Sequence, residues 1–257
     1  MSKVSKILGV GLVAGAVLVG GLTVEAAEVT VGADVVSSYV WRGITLNKDA
    51  VIQPSVAIEH PSGVALEVWS NFDLGDDDGA YAERQFSEID FDLSYSMDVE
   101  MVTLTLGYIE YTFPGAGDLV GDEETGFSQQ ASADRELYVG AAAEVLPGLE
   151  LGLTVYQNLA TSDGTYVVLG AEYGYEVLEG LTLALGGTIA YGAEGATAGG
   201  ESGMHDYSIT LSGAYDVAEG VELSAFVTYV DSIDSDALPS AAIREDVFGG
   251  VGLYYSF

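Results

Sequence analysis

The sequence predicts an all-β fold: a transmembrane, antiparallel, up-and-down β-barrel of 12 strands, of the outer-membrane type. Three observations carry that expectation. Apolar residues recur at every second position in segment after segment, which is the period of a strand and not of a helix. The connections alternate along the chain between tight turns and long polar loops. The chain also combines 49% apolar residues with a net charge of −33. Disordered chains are charged but poor in apolar residues, so this combination points to apolar and acidic side chains held on opposite faces.

The first 26 residues read as a processing segment. Lys3 and Lys6 form a short basic region, and the apolar, Gly-rich run ILGVGLVAGAVLVGGLTV follows. VEAAE then supplies small residues for cleavage after Ala26, with Val24 three residues in. The length of the apolar run also allows a retained anchor. Removing residues 1–26 takes away Lys3, Lys6 and Glu25 and leaves 5 basic and 39 acidic residues, a net of −34. Residues 27–257 are then one exported barrel domain. No cysteine is present, which excludes a disulfide framework and thiolate chemistry.

Each segment is justified by its own alternation. EVTVGADVVSSYVW sets Val29, Val31, Ala33, Val35, Tyr39 and Trp41 against Glu28, Thr30, Asp34, Ser38 and Arg42. VIQPSVAIEH alternates Ile52, Val56 and Ile58 with Gln53, Ser55 and Glu59. VALEVWSNFDL opposes Val64, Leu66, Val68, Phe72 and Leu74 to Glu67, Trp69, Asn71 and Asp73. SEIDFDLSYSM opposes Ile89, Phe91, Leu93, Tyr95 and Met97 to Glu88, Asp90, Asp92, Ser94 and Ser96. In VTLTLGYIEYTF the phase blurs at Ile109–Tyr111, where a bulge is expected. ELYVGAAAEV, LELGLTVYQNL, TYVVLGAEYGYEV, LTLALGGTIAY, DYSITLSGAYDV and VELSAFVTYV follow. REDVFGGVGLYYSF is the twelfth, with Val247, Val251, Leu253, Tyr255 and Phe257 on its apolar face.

HPSG, DVE, LPG, LEG and AEG are the tight turns, and the other connections are longer and polar. Free backbone groups cannot be satisfied in hydrocarbon, so the last strand must pair with the first. Tyr39, Trp41, Tyr108, Tyr191 and Tyr229 at the loop end form one expected aromatic girdle. Tyr95, Tyr175, Tyr215 and Phe257 at the turn end form the other, and both chain ends then lie in the periplasm.

The polar phase of the strands is acidic. It carries Asp34, Glu59, Glu67, Asp73, Glu88, Asp90, Asp92, Glu136, Glu144, Glu150, Glu172, Glu176, Asp206, Asp216 and Glu222. Arg42 and Arg244 are the strand-borne basic partners, with Arg84 and Arg135 near loop ends. Carboxylates in such excess must stay hydrated, bind cations or be protonated, so a water-filled lumen lined by acids is expected. Such a wall concentrates cations and rejects anions. The same acidity is what a proteome adapted to salt would give, and composition alone does not separate the two.

Other chemistries find little support. Asp76–Asp78 and Asp122–Glu124 offer oxygen ligands for loosely bound Ca²⁺ or Mg²⁺, without the spacing of an EF-hand, so no resident metal or cofactor is expected. His60 lies beside Ser62 and His205 beside Asp206, yet neither neighbourhood shows the third group of a catalytic triad. Both read as surface histidines and the chain as no enzyme. So few basic residues exclude nucleic-acid binding.

The stretch DVVSSYVWRGITLNKDAVIQPSVAIEHPSGVALEVWSNFDL resembles the start of the TorF-type family of porin-like proteins, long grouped as proteobacterial proteins of unknown function. The matching residues are Ser37, Ser38, Tyr39, Trp41, Arg42 and Gly43, then Gln53, Pro54, Trp69, Ser70 and Asn71. The finish on Tyr255 and Phe257 also resembles the C-terminal signal read by the barrel-assembly machinery. The resemblance implies an outer-membrane barrel and names no solute.

The expected function is passive, porin-like permeation of cations or small polar solutes in the outer membrane of a Gram-negative bacterium. Arg42 and Arg244 serve as local counter-charges near the loop-side mouth. The alternative is a non-conducting structural or adhesion barrel whose acidic loops bind cations. Outer-membrane lipids are the expected partners; the oligomeric state, and whether loop 114–134 enters the pore, stay open.

Overall fold

The computed structural model describes residues 27–77, 84–114, 133–160 and 162–257. Its strands, in chain order, are β1 (Glu28–Val36), β2 (Tyr39–Trp41), β3 (Ile44–Asn47), β4 (Val51–Glu59), β5 (Val64–Asp73), β6 (Phe86–Val99) and β7 (Val102–Thr112). They continue with β8 (Ala133–Leu146), β9 (Leu149–Asn158), β10 (Thr165–Leu178), β11 (Leu181–Gly192), β12 (Gly203–Ala218), β13 (Val221–Ser232) and β14 (Val247–Ser256). All but β2 and β3 close into one barrel of antiparallel strands, the expected 12. Residues 1–26, most of loop 114–134, and the acidic residues Asp78, Asp122, Glu123 and Glu124 lie outside the described residues.

Closure is made by β14 against β1. Thr30 faces Ser256, Ala33 faces Leu253 and Val35 faces Val251. Val29 and Phe257 exchange two backbone hydrogen bonds of 3.0 Å. The apolar last strand therefore has a partner on each side, and the sheet keeps no free edge to template aggregation. Ser37 locks the same seam further up, its Oγ accepting the Gly249 N–H at 3.1 Å.

The packing is inside out for a soluble protein. Leu106, Val139, Leu185 and Leu253 are each more than half exposed, while Glu88, Glu136 and Asp206 are buried. The outer face carries the apolar phase of every barrel strand, with Tyr95, Tyr175, Tyr215 and Phe257 at one end and Tyr191 and Tyr229 at the other. A continuous exposed apolar belt of this kind requires a non-aqueous surrounding.

Three of the tight turns share one construction. Pro147–Gly148, Glu179–Gly180 and Glu219–Gly220 join paired Leu146/Leu149, Leu178/Leu181 and Ala218/Val221. Their glycines hold φ of +81°, +77° and +73°, a left-handed conformation that costs other residues a Cβ clash. One extra residue in the first strand, Val145, Val177 or Val217, shifts the register just before each turn. In the first two the acid four residues before the glycine accepts its N–H: Glu144 from Gly148 at 2.8 Å and Glu176 from Gly180 at 3.2 Å.

Two local expectations are corrected. The first strand ends at Val36 and does not reach Trp41, because the chain leaves the barrel wall at Ser37–Ser38 and turns inward. No bulge interrupts Ile109–Tyr111; pairing to β6 and β8 is unbroken there. The alternation is strict, with Tyr111 inside and Glu110 outside at the rim, where Tyr108 donates to it and Arg135 lies 3.5 Å away.

Candidate functional site: an inward-folded hairpin above an acidic wall

The first long connection, residues 37–50, folds into the loop end of the barrel. Its strands β2 and β3 pair around a two-residue tip, Trp41 opposite Ile44. The tip residues Arg42 and Gly43 have φ of +49° and +75°. Positive φ at both central positions is the type I′ turn that matches strand twist in tight hairpins. Only glycine fits at the second position: a Cβ there would lie 2.7 Å from Leu238 Cδ2 and 3.1 Å from Asp206 Cβ. The tip is thus seated against β12 and the β13–β14 loop, on the β14 side of where the hairpin leaves β1.

Arg42 is the best-held side chain of the hairpin. Its Nη1 donates to Glu136 Oε1 at 2.9 Å and its Nη2 to Oε2 at 2.6 Å, and Tyr111 OH donates to the same Oε2 at 2.9 Å. Two parallel donors on two carboxylate oxygens is the strongest geometry an arginine offers. Ring centroids of Trp41, Tyr156 and Tyr166 lie 4.4, 4.9 and 4.2 Å from the guanidinium carbon, within cation–π range. The side chains of Arg42 and Glu136 are only 11% and 4% exposed.

The stem is anchored on the other walls. Tyr39 OH donates to Glu88 Oε2 at 2.7 Å, and its ring packs 5.6 Å from that of Trp69. Asn47 Nδ2 donates to Asp73 Oδ1 at 2.8 Å. Arg244 and Glu245 donate their backbone N–H groups to Thr45 Oγ1, and the Arg244 guanidinium reaches Thr45 O at 3.0 Å and Asp77 Oδ1 at 2.7 Å. Val36, Tyr39, Val51, Val230 and Phe248 form a small apolar core beneath, flanked by Trp41, Leu46 and Trp69. The loop end of the interior is therefore packed, which corrects the expectation of a lumen hollow throughout.

That packing redistributes the acids expected to line a pore. Asp73, Glu88, Glu136 and Asp206 are buried and bound to the hairpin or its supports, so they are anchors and not a wetted lining. Glu144 is exposed at a turn, where it caps Gly148, and Asp216 is exposed at the next turn end. Asp34, Glu67, Asp90, Asp92, Glu172 and Glu222 stand half-buried on the face opposite the apolar belt, together with Glu150. Register brings several into direct pairs: Glu67 faces Asp92, Glu172 faces Glu150 and Asp216 faces Glu222. Two acids here are held by tyrosines: Tyr138 OH lies 3.1 Å from both Asp92 oxygens, and Tyr254 OH donates to Asp34. Tyr138 reaches across β7 because Gly107 leaves room; a Cβ at Gly107 would fall 2.1 Å from the ring.

Sequence periodicity misplaced Tyr39 and Trp41 on the outer girdle and left the inner Tyr111, Tyr138, Tyr156 and Tyr166 unassigned, while Tyr254 lies, as its phase requires, opposite the apolar face. The signal for the inner tyrosines was parity: Tyr138 is two residues from Glu136, and Tyr254 is out of phase with Leu253. Asp77 is buried in the Arg244 cluster and not part of a solvated acidic run. His60 is exposed and bonds Ser62 at 2.8 Å. His205, expected at the surface, is 1% exposed, bonds Asp206 Oδ1 through Nδ1 at 2.7 Å and meets Tyr166 edge-on. A register shift opposite Ile189–Tyr191 turns both His205 and Asp206 inward. Among the described residues, no three His, Asp or Glu side chains converge as a metal-ligand set.

Residues 23–249 match a family described as bacterial proteins of unknown function, Gcw_chp. The chain belongs to that family. No functionally curated protein matches it in sequence. Among solved structures it is similar to a KdgM porin, at 12% identity and a TM-score of 0.54, over 90% of this chain and 99% of that one. It is also similar to an outer-membrane channel of Pseudomonas putida F1, at 14% identity and a TM-score of 0.51, over 92% of this chain and 97% of that one. A NanC porin aligns at 12% identity and a TM-score of 0.50, over 90% and 99%. At these identities the likeness is one of fold.

Proposed function

We propose that the chain is a porin-like channel of the outer membrane that passes cations and small polar solutes along a carboxylate wall. One observation carries the reading: the basic residues are confined to the loop end, and the inner face below carries acids alone. Arg42, Lys48, Arg84, Arg135 and Arg244 all belong to the loop end, and they are every basic residue after residue 26. Below the hairpin the inner face carries Asp34, Glu67, Asp90, Asp92, Glu150, Glu172 and Glu222 and no lysine or arginine. Fixed negative charge in a low-dielectric frame raises the local cation concentration and repels anions. A KdgM porin has been solved in complex with a disordered oligogalacturonate, a polyanion. The wall of the present chain has the wrong sign for such a solute, so the shared fold would serve a different charge class here.

The packed hairpin favours a second reading, a non-conducting structural or adhesion barrel. Planar-bilayer recording of the purified, refolded chain separates the two. Stepwise, lasting conductance increments support the channel, and a correctly folded barrel that inserts but stays electrically silent contradicts it.

A further inference from the structure

The barrel wall around Arg42 is built as a receptor. Glu136 comes from β8, Tyr111 from β7, Tyr156 from β9 and Tyr166 from β10. These side chains converge on one guanidinium although none belongs to the hairpin that supplies it. The carboxylate offers one oxygen to each Nη of the fork, at 2.6 and 2.9 Å, and Tyr111 donates to one of those oxygens at 2.9 Å. Two tyrosine rings supply π faces within 5 Å of the guanidinium carbon. The shape selects a planar cation with paired donors; an ammonium is a point charge without the fork.

We propose that β7–β10 form a binding site for small guanidino compounds, which Arg42 fills as a tethered ligand. Short flexible linkers already give effective concentrations on the millimolar scale, and the anchored stem holds Arg42 at or above it. A free guanidino compound must therefore approach that scale to displace it from the native chain, and binds far more readily once Arg42 is removed. Displacement would free the hairpin tip from the wall, which makes residues 37–50 a plug with a chemical key. The binding claim does not depend on the channel reading.

The test is calorimetric titration of the folded Arg42→Ala barrel in detergent micelles with guanidinium chloride, and with methylammonium chloride at matched ionic strength. The expected result is saturable guanidinium binding at least ten-fold tighter than methylammonium, lost when Glu136→Gln is added. Absence of saturable guanidinium binding, equal binding of methylammonium, or binding indifferent to Glu136→Gln overturns the proposal. Should Arg42→Ala not fold, Arg42→Lys in a Trp69→Phe background carries the same test, since Trp41 is then the one tryptophan of the chain. Free guanidinium is expected to displace the tethered ammonium and shift Trp41 emission to the red. No guanidinium-specific shift would overturn the proposal. Neither measurement needs ion flow, so a silent barrel that binds guanidinium defeats the channel reading alone, and a conducting one that does not bind it defeats this one alone.

Discussion

Arg42 and Glu136 stand 94 positions apart in the chain and yet form a two-pronged buried ion pair in the interior. A buried pair of this kind is weak evidence of net stabilisation, but removing one partner strands a charge, typically at a cost of about 3–5 kcal/mol. Arg42→Ala and Glu136→Ala should each lower the unfolding free energy by that amount. The double variant should lose much less than the sum, measured by urea titration in micelles. Tyr138→Phe removes the hydrogen-bond donor to Asp92 and should cost about 0.5–1.5 kcal/mol in the same assay. How far such residues were legible differs. The tight turn at Arg42–Gly43 shows in the sequence, because a glycine after an arginine at a strand end marks a sharp reversal. The partner does not, since nothing local says which of many carboxylates the tip will meet. The inner tyrosines were legible by parity, since each shares the phase of the polar positions of its strand.

At the scale of elements, the 12 crossing strands were legible because each has one face in contact with something apolar, which imposes a period of two. The strand–hairpin boundary at Val36 was not. Alternation runs from Val29 to Trp41 with a single polar residue, Ser37, in the apolar phase, and a strand inside the lumen obeys the same period as one in the wall. The turns were legible through their glycines, and they give a paired prediction. Gly180→Ala, at φ +77°, should destabilise by about 1–2 kcal/mol. Gly186→Ala should stay within about 0.5 kcal/mol of the parent, because a Cβ there meets nothing nearer than 3.5 Å. Equal losses at the two sites would show that turn conformation is not what the first glycine supplies.

For the whole molecule, the ordering of charge along the barrel axis decides the account. A total charge of −33 says only that the chain is acidic. The structure adds that its positive charges gather around the hairpin end while half-buried carboxylates occupy the inner face below. Selectivity that comes from such a wall must weaken as salt shortens the screening length, from about 10 Å at 0.1 M to about 3 Å at 1 M. Cation preference in bilayers should therefore be larger in dilute than in concentrated potassium chloride, and a preference independent of salt would point to sieving by size. The central claim is tested most directly by the zero-current potential across a bilayer under a potassium chloride gradient. The native chain and the variant Glu67→Gln, Asp92→Asn, Glu150→Gln, Glu172→Gln should be compared. The native potential is predicted to lie toward the potassium equilibrium potential and to fall toward zero in the variant; a native potential on the chloride side, or one that the four neutralisations leave unmoved, would contradict it.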